Sequence, residues 1–484
     1  MLQKTVSTEI VLSNEIVFYV DDEPYIFQGL SGIITALDGV SEAIIKYMKR
    51  NKPINTGEIV DGLSTTFSRV DIEEAIDELI KSSVLYEQGD RKHPLVRTTD
   101  VPNATELPIA TLVFHLINSC NLGCTYCYAG DGEYGAPQKV MSQQTATDAI
   151  DFLIRESKHL NDISVILFGG EPFLNWKQLK YIVEYGKQAA ERTNKNISFS
   201  LTTNGTLLND ERIAFIKEHN IGVSVSMDGD EKTQDKWRPF QNGAGSYKLV
   251  SSNVRKLVAE KSGKPVAARV TLTKGFPYVR DTLHHLFSLG FHEVGFAPVT
   301  ETDEMMMLAR PEMMDLLDQF EELANDFIES VKQNEYLGFS NLTNLLSDLH
   351  QGQTKAYGCG AGLGFMAVSP GGDLYLCHRF NEDPEVQLGD IYQGINREFQ
   401  QKLLKDLHVD TKTTCSRCPL KHSCAGGCYY EAKEQQGEIT APNLHYCNWM
   451  LRWTKIGLET YVRIMKEDSS FMDRMTGTNY CQTN

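Results

Sequence analysis

Ten of the chain's eleven cysteines stand in two closely spaced arrays, which constrain the fold more than any other feature of the sequence. The first array has the pattern C-x3-C-x2-C and comprises Cys120, Cys124 and Cys127. The second array comprises Cys359, Cys377, Cys415, Cys418, Cys424, Cys428 and Cys447. Such spacings are typical of iron-sulfur ligands, and ten thiolates with one small-molecule ligand nearly supply the roughly twelve ligands that three 4Fe-4S clusters need. The sequence therefore predicts a redox protein built around metal clusters.

Composition and charge exclude several classes of protein. The chain is 41% hydrophobic and 23% charged, as in ordinary globular proteins, and no apolar run is long enough to cross a bilayer. Its formal net charge of −17, without a basic stripe, opposes binding to nucleic-acid phosphates. No secretory signal is visible at the N-terminus, so we expect a cytoplasmic protein. In a reducing cytosol the clustered cysteines are metal ligands rather than disulfides, and Cys481 is an incidental thiol.

Residues 1–95 are predicted to form a small winged-helix-like domain. Two β-rich runs, Glu15–Val20 and Pro24–Phe27, precede three helical patterns, and the last helix is predicted to begin with Asp71 as its capping residue. The acidic face of that helix would repel a phosphate backbone, so a peptide is the expected partner. Residues 96–108 are polar and contain proline, which predicts a linker.

Residues 109–310 alternate strand patterns with helical patterns. The predicted strands are Ala110–Leu116, Ile163–Phe168, Ile197–Thr202, Gly222–Met227, Val266–Leu272 and Glu293–Ala297. Six β/α units in series predict an α/β fold with a parallel sheet, either open or closed into a partial (β/α)6 TIM-like barrel. Chemistry in such folds takes place at the carboxyl ends of the strands. The first cysteine array directly follows the first predicted strand, which is where that rule places an active site.

The remaining sequence changes character twice. Residues 311–350 have apolar residues at helical spacing and are predicted to form a helical bridge. In residues 351–450 the periodicity fades and Gly, Cys and turn residues dominate, as expected where metal clusters replace a conventional core. Residues 451–484 are predicted to be a C-terminal helix and a polar tail.

The segment around the first array resembles the signature of the radical S-adenosylmethionine (radical SAM) superfamily, including an aromatic residue, Tyr126, before the last cysteine. Three thiolates leave one iron of a 4Fe-4S cluster free to bind a cofactor or substrate. The alternative is a three-cysteine zinc loop, but zinc sites favour paired C-x2-C knuckles and a fourth Cys or His at a regular distance. The resemblance implies S-adenosylmethionine as a cofactor and favours the partial barrel.

Short motifs at successive strand ends support the same resemblance. Gly-Gly-Glu at the end of the second strand resembles the family motif, which implies that its backbone and Glu171 fix the methionine amino group of the cofactor. Ser226 would face the cofactor's polar end, and Arg238 would pair with its carboxylate through two parallel hydrogen bonds. Each motif alone is more often a turn, but their recurrence at strand ends favours the functional interpretation. The implied cofactor-binding residues are Tyr126, Gly169, Gly170, Glu171, Asn204, Ser226 and Arg238.

The second array resembles, cysteine for cysteine, the seven-cysteine SPASM extension of peptide-modifying radical SAM enzymes. The resemblance implies an outer auxiliary 4Fe-4S cluster held by Cys415, Cys418, Cys424 and Cys447. It implies an inner one held by Cys359, Cys377 and Cys428. The inner cluster is one ligand short, so an open iron, a substrate thiolate, His378 or Asp390 would complete it. A zinc ribbon is the alternative for the central four cysteines, but the first array argues against it.

The whole layout resembles that of enzymes that mature ribosomally made peptides. The N-terminal domain resembles their leader-peptide recognition element, in which a peptide joins the edge of a sheet. The layout is most similar to thioether-forming maturases, in particular the maturation enzymes of quinohemoprotein amine dehydrogenase, which link Cys sulfur to Asp or Glu side-chain carbon. The implied partners are a cysteine-containing peptide or small protein subunit and a reductant such as flavodoxin or ferredoxin. Asp390 is the candidate acid or base.

Two kinds of alternative remain open. The same cysteine pattern serves carbon-carbon crosslinking, epimerisation and the oxidation of Ser or Cys to formylglycine. A non-catalytic iron-sulfur or zinc scaffold that binds a protein partner is an alternative of another class. Residues 169–171, Asn204 and Arg238 argue against the scaffold, which has no use for them.

Overall fold

The computed structural model describes residues 9–51, 54–87, 100–130, 132–260, 264–300 and 305–477. Part of the predicted linker and the whole of the tail after residue 477, with Cys481, lie outside the described residues. The N-terminal unit contains the elements β1 (Ile10–Leu12), β2 (Glu15–Val20), β3 (Glu23–Gln28), β4 (Ile34–Ala36), α1 (Gly39–Arg50), α2 (Thr56–Leu63), α3 (Arg69–Lys81) and β5 (Leu85–Glu87).

Both predicted strands and all three predicted helices of the N-terminal unit are confirmed. Strands β2, β3 and β4 form an antiparallel sheet, and β1 pairs with β5. The predicted cap of α3 is wrong, because the helix begins earlier than Asp71. Ser68 is the capping residue, and its hydroxyl accepts the Asp71 backbone N–H at 3.2 Å. A serine one turn upstream satisfies the first free N–H groups, so the helix gains almost a turn.

Six parallel strands form the centre of the molecule, in the order of the chain. They are β6 (Thr111–His115), β7 (Asp162–Phe168), β8 (Asn196–Thr203), β9 (Gly222–Ser226), β10 (Val266–Leu272) and β11 (Glu293–Pro298). The connecting helices are α4 (Gln143–Glu156), α5 (Trp176–Arg192), α6 (Asp210–Glu218), α7 (Glu231–Trp237), α8 (Tyr247–Ala259) and α9 (Val279–Ser288). The predicted α/β fold with a partial barrel is confirmed.

Side chains alternate between the two faces of these strands. In β10, Ala268 and Val270 are buried in the main core against the helices. Because successive side chains of a strand point to opposite faces, Arg269 and Thr271 face the inside of the partial barrel. The sheet therefore separates an apolar outer layer from a lumen that carries polar groups.

The predicted helical bridge consists of α10 (Arg310–Lys332) and α11 (Ser340–His350). The apolar face of α10 is buried as its spacing predicts, with Leu316, Leu317, Phe320, Leu323 and Phe327 in the main core. No helix in the described part of the chain is long and apolar enough to cross a membrane.

The cysteine-rich region continues the central sheet, which the fading periodicity did not predict. Its elements are β12 (Phe365–Val368), β13 (Asp373–Tyr375), β14 (Gln387–Asp390), β15 (Gly394–Ile395), α12 (Arg397–Leu407), α13 (Lys421–Cys424) and α14 (Tyr429–Gln436). Strand β12 pairs in parallel with β6, so the sheet has ten strands in the order β11-β10-β9-β8-β7-β6-β12-β13-β14-β15. The chain ends with α15 (Cys447–Glu467) and α16 (Phe471–Thr476).

The N-terminal unit docks on the C-terminal part of the chain. Its apolar contact comprises Phe18, Val20, Phe27, Leu349, Leu420, Leu458 and Val462. Lys466 in the last turn of α15 lies 2.8 Å from the Glu23 carboxylate. Asn14 donates a hydrogen bond to the Ser416 carbonyl at 3.0 Å, and a Cβ atom on Gly29 would lie 1.7 Å from the Pro419 carbonyl oxygen. The unit therefore rests directly on the loop that carries Cys415 and Cys418.

Candidate cofactor and substrate cavity

A cavity opens at the carboxyl ends of the parallel strands, where the fold places chemistry. The loop after β6 contributes the thiols of Cys120, Cys124 and Cys127 to its wall. Strands β7 to β11 contribute residues at or near their carboxyl ends, and Arg379 reaches the cavity from the cysteine-rich region. The predicted residues that line it are Tyr126, Gly169, Gly170, Asn204, Ser226 and Arg238. The structure thus brings most of the predicted cofactor site to one cavity.

The three thiols of the first array are close enough to influence one another electrostatically. Burial raises the pKa of Cys120 to about 12 and that of Cys124 to about 11. Such thiols stay protonated at neutral pH unless a metal takes the place of the proton. The Arg238 guanidinium, whose Nη1 lies 3.9 Å from Cys124 Sγ, favours the thiolate form on this side of the loop. The donor set therefore suits a metal cluster.

Arg238 is held by a buried carboxylate that the sequence interpretation did not include. The Asp228 side chain is fully buried and accepts a hydrogen bond from Arg238 Nε at 3.0 Å. The Tyr126 hydroxyl donates to the same carboxylate, and the guanidinium lies over the Tyr126 ring, 5.2 Å from its centroid. Burial alone would lower the pKa of Arg238, but the negative charge of Asp228 raises it above its usual range. Asp228 follows the predicted cofactor contact Ser226 by two residues, and this position at the end of β9 was the available signal for it.

The Gly-Gly-Glu motif supports the cysteine loop through its backbone. Gly170 N–H donates to the Ile117 carbonyl at 3.0 Å, and Glu171 N–H donates to the Ser119 carbonyl at 2.9 Å. A Cβ atom on Gly170 would lie 2.1 Å from the Ser119 oxygen, and one on Gly169 would lie 2.7 Å from the Ile117 oxygen. The two glycines are therefore required by the close approach of this segment to the backbone of residues 117–119.

The Glu171 carboxylate does not line the cavity. It is fully buried and accepts hydrogen bonds from Phe173 N–H at 3.1 Å, the Thr203 hydroxyl at 2.8 Å and Asn204 N–H at 2.8 Å. Burial raises the pKa of Glu171 to about 7, although these hydrogen bonds oppose the shift. The side chain therefore positions the end of β8, where Asn204 Nδ2 donates to Asn121 in the cysteine loop at 2.9 Å.

Asp390 and His378 are not brought to the cavity, since neither is among its lining residues. Asp390 Oδ1 accepts the backbone N–H groups of Tyr392 at 2.8 Å and Gln393 at 2.6 Å. Asp commonly stabilises a turn in this way, so its position gives no support to the predicted acid or base role. The His378 ring packs against Phe168, with 4.8 Å between ring centroids.

The seven C-terminal cysteines separate into the two predicted sets. Burial raises the pKa of Cys377 to about 12, and the thiols of Cys428 and Cys359 add to this shift. Burial raises the pKa of Cys424 to about 11, and Cys447, Cys415 and Cys418 act in the same direction. Each thiol therefore lies within electrostatic reach of the members of its own predicted set. Cys447 reaches the outer set as the first residue of α15.

Each C-terminal set has a basic side chain beside it, which sequence reasoning missed because neither residue belongs to a recognisable pattern. Arg379 Nη1 donates to Glu431 at 3.1 Å and lies 4.0 Å from Cys428 Sγ. Lys412 is only 4% exposed, and its ammonium donates to the carbonyls of Thr440 at 2.6 Å and Ala441 at 3.2 Å. Burial lowers the pKa of Lys412, whereas the neighbouring Cys415 and Cys424 act in the opposite direction. A buried ammonium beside thiols is favourable when those thiols carry negative charge.

A single metal ion fits these arrangements poorly. Among the described residues, no three His, Cys, Asp or Glu side chains lie close enough together to hold one ion. A four-iron cluster is larger than an ion and keeps its thiolates further apart. The chemistry of the donor sets, all thiols with a cation nearby, suits clusters.

Comparison with known proteins assigns the central part of the chain. Residues 114–286, which include the first cysteine array and the Gly-Gly-Glu motif, match the model of the Radical SAM superfamily. This segment is therefore a radical SAM domain, for which a 4Fe-4S cluster and S-adenosylmethionine are the expected cofactors.

Relatives of the chain include enzymes that modify proteins or peptides. The chain is 28% identical over 362 residues to a serine-type anaerobic sulfatase-maturating enzyme of Bacteroides thetaiotaomicron, with 68% of this chain and 84% of that enzyme covered. It is 20% identical over 469 residues to the radical SAM cyclopropyl synthase TigE of Paramaledivibacter caminithermalis, with 90% and 92% covered. The chain is 33% identical over 194 residues to an uncharacterized protein of Methanocaldococcus jannaschii. This match covers 38% of the present chain and 61% of that protein.

A solved structure shares the fold. Native anSMEcpe with bound AdoMet and the Cp18Cys peptide matches with a TM-score of 0.62 and 20% identity, covering 74% of this chain and 99% of that chain. At this identity the likeness concerns the fold. About a quarter of the present chain lies outside the match.

Proposed function

We propose that the chain is a radical SAM peptide maturase that forms thioether crosslinks between Cys sulfur and an Asp or Glu side-chain carbon in a peptide or small protein subunit. The maturation enzymes of quinohemoprotein amine dehydrogenase are the group that we propose for it, on the resemblance in the layout of the cysteine arrays. One observation carries the proposal: a cavity with three thiols at the strand ends is joined, through a shared sheet, to a region with two further thiol sets. The relatives that modify proteins support the substrate class.

The chain's own residues supply a site for radical chemistry. Cys120, Cys124 and Cys127 would hold a 4Fe-4S cluster, and the Arg238 side of the cavity would receive the carboxylate of S-adenosylmethionine. When bound, the cluster and this cofactor supply a 5′-deoxyadenosyl radical, which can remove a hydrogen atom from an unactivated carbon. The aromatic side chains that line the cavity exclude water from such an intermediate, and they are Tyr126, Tyr128, Tyr134, Phe168 and Phe296.

The two C-terminal thiol sets would hold auxiliary clusters, whose chemistry is one-electron transfer. The inner set has three thiols, so a substrate cysteine could supply a fourth ligand before it is joined to carbon. Arg379 belongs both to the cavity wall and to the surroundings of Cys428, so the inner set lies next to the place where a substrate would react. A flavodoxin or ferredoxin is the proposed reductant, and the cytoplasm stays the predicted location.

A second candidate is the oxidation of Ser or Cys to formylglycine, which the similarity to the sulfatase-maturating enzyme favours. The thioether proposal is preferred because about a quarter of this chain has no counterpart in the 99% of anSMEcpe that is matched. An N-terminal unit docked beside the outer thiol set suits recognition of a leader peptide by addition to a sheet edge.

The test is anaerobic co-expression with a cysteine-rich small protein encoded beside this chain, followed by tandem mass spectrometry of that protein. A thioether removes a pair of hydrogens, blocks alkylation of one cysteine and suppresses fragmentation between that cysteine and an acidic residue. Formylglycine made from serine also removes a pair of hydrogens, but every cysteine then stays open to alkylation and the product reacts with hydrazides. An unmodified partner, in spite of cofactor cleavage to 5′-deoxyadenosine, would refute the thioether assignment.

The scaffold hypothesis is tested with Cys124→Ala. A maturase loses cofactor cleavage and partner modification with this substitution, because one ligand of the first cluster is gone. A scaffold never cleaves the cofactor, and its partner binding is unchanged. Partner binding is measured in both proteins by anaerobic size-exclusion chromatography.

A further inference from the structure

The charged residues of the cavity differ in sign from the chain as a whole. The chain has 64 acidic and 47 basic residues. Yet the charged side chains among the described lining residues are Arg238, Arg269 and Arg379, with no carboxylate among them. Like charges that are withdrawn from water repel each other, so an arginine that lacks a carboxylate partner in this cavity favours an anionic group in the occupant.

Two of these arginines already have a carboxylate partner behind the cavity wall. Arg238 pairs with Asp228 at 3.0 Å, and Arg379 pairs with Glu431 at 3.1 Å. Arg379 also donates to the Thr300 hydroxyl at 3.1 Å. The charge of each of these guanidinium groups is therefore matched within the protein, through Nε of Arg238 and Nη1 of Arg379.

Arg269 is different. It stands in β10, next to Ser226 in β9 and Gly295 in β11, and all three residues line the cavity. Its side chain is exposed to the cavity, and the described part of the chain gives its guanidinium neither a hydrogen-bond acceptor nor an ion-pair partner. The N–H donors of the Arg269 guanidinium are therefore available to a ligand in the lumen of the partial barrel.

Gly295 fixes where this guanidinium lies. A Cβ atom on Gly295 would be 2.7 Å from Arg269 Nη1, so any larger residue at this place would displace the arginine. The absence of a side chain in β11 lets the guanidinium lie across the neighbouring strand. An arginine placed on a rigid sheet, with free donors, is suited to bidentate binding of a carboxylate.

We propose that Arg269 binds a carboxylate in the cavity, and that this carboxylate is the side chain of an acidic residue of the substrate peptide. The peptide occupant rests on the proposed function. Binding of the carboxylate would hold the adjacent side-chain carbons inside the barrel, where hydrogen removal takes place. Arg269 is thus a substrate-binding residue that selects Asp or Glu over Asn or Gln. The carboxylate of S-adenosylmethionine is the other source of the same chemistry, and the experiment separates the two.

The experiment uses anaerobic holoenzyme saturated with S-adenosylmethionine and two neutral-backbone probes, N-acetylglutamate amide and N-acetylglutamine amide. Wild type should bind the glutamate probe more tightly, and Arg269→Gln should weaken that binding about tenfold or more while leaving the glutamine probe unaffected. Arg269→Lys keeps the positive charge but loses the two parallel N–H donors, so its affinity for the glutamate probe should lie between those of wild type and Arg269→Gln. Arg255→Gln is the matched control, because Arg255 is exposed and donates to the Ser288 carbonyl outside the cavity. Isothermal titration calorimetry measures each affinity.

The affinity for S-adenosylmethionine, measured by equilibrium dialysis, should be the same in wild type and Arg269→Gln. Loss of that affinity, with probe discrimination retained, would assign the carboxylate to the cofactor and overturn the proposal. Equal affinity of wild type for both probes, including no binding of either, would also overturn it. Iron content must match wild type in every variant. A partner protein that carries no thioether would contradict the proposed function while leaving the preference of the cavity for the glutamate probe intact, so the two failures are distinguishable.

Discussion

Replacement of Asp228 by asparagine tests whether the cavity wall depends on one buried charge. The carboxylate accepts hydrogen bonds from Arg238 Nε at 3.0 Å, from Thr271 N–H at 2.9 Å and from the Tyr126 hydroxyl. Asparagine keeps the shape but leaves the Arg238 guanidinium, which is 8% exposed, without its counter-charge. Removal of one partner from a buried ion pair costs about 3–5 kcal/mol. We expect about 3 kcal/mol, the lower end, because the amide oxygen of asparagine still accepts one N–H.

The assay is urea unfolding of anaerobically reconstituted protein, followed by circular dichroism. Asp210→Asn is the matched control, because Asp210 makes a 3.6 Å ion pair with Lys256 but has a side chain that is 93% exposed. An exposed pair contributes about 0–1 kcal/mol, so the control should lie within that range. If the free energy of unfolding of Asp228→Asn is no lower than that of the control, the ion pair does not hold the cavity wall together.

Three further perturbations follow from the site. Glu171→Gln should remove a pH dependence of the free energy of unfolding. Because the pKa of Glu171 in the folded protein, about 7, lies above its unfolded value, the wild type should lose up to about 3 kcal/mol of stability relative to the variant as pH rises from about 4.5 to 7. Urea unfolding across that pH range measures the difference. Gly170→Ala should abolish iron binding by the first array, because its methyl group would lie 2.1 Å from the Ser119 oxygen, and iron analysis should show the loss. Lys412→Met should lower the reduction potential of the proposed outer cluster, because a buried cation stabilises the more negative reduced state. Potentiometric titration followed by electron paramagnetic resonance measures this potential, and an unchanged value would contradict the role of Lys412.

The barrel was predictable because its signals are local. Six apolar strands separated by helical patterns require only the alternation of short buried runs with amphipathic segments. The same is true of the cysteine loop, whose ligands lie within a few residues of each other. The grouping of the second array into two sets came from resemblance, and the structure brings the members of each set together.

Pairings between distant segments could not be predicted. Strand β12 joins β6 across more than two hundred intervening residues, and its short apolar sequence would fit many partners. Lys412 belongs to the same class, because the residues that contact its side chain, Gly426 and the carbonyls of Thr440 and Ala441, come from later in the chain. Asp390 was chosen for its residue type and position, but a turn of its own backbone takes both described hydrogen bonds.

The seat of the N-terminal unit on the loop of the outer thiol set has a thermodynamic consequence. Asn14 donates a hydrogen bond to the Ser416 carbonyl and Gly29 fits against Pro419, so the docked unit contacts the described conformation of residues 415–419. Any ligand that selects that conformation must strengthen docking of the unit, and docking must strengthen retention of that ligand by the same factor. If the outer set holds the proposed cluster in that conformation, cluster loading and attachment of the N-terminal unit are coupled, and a chain without this cluster would hold its N-terminal unit less tightly.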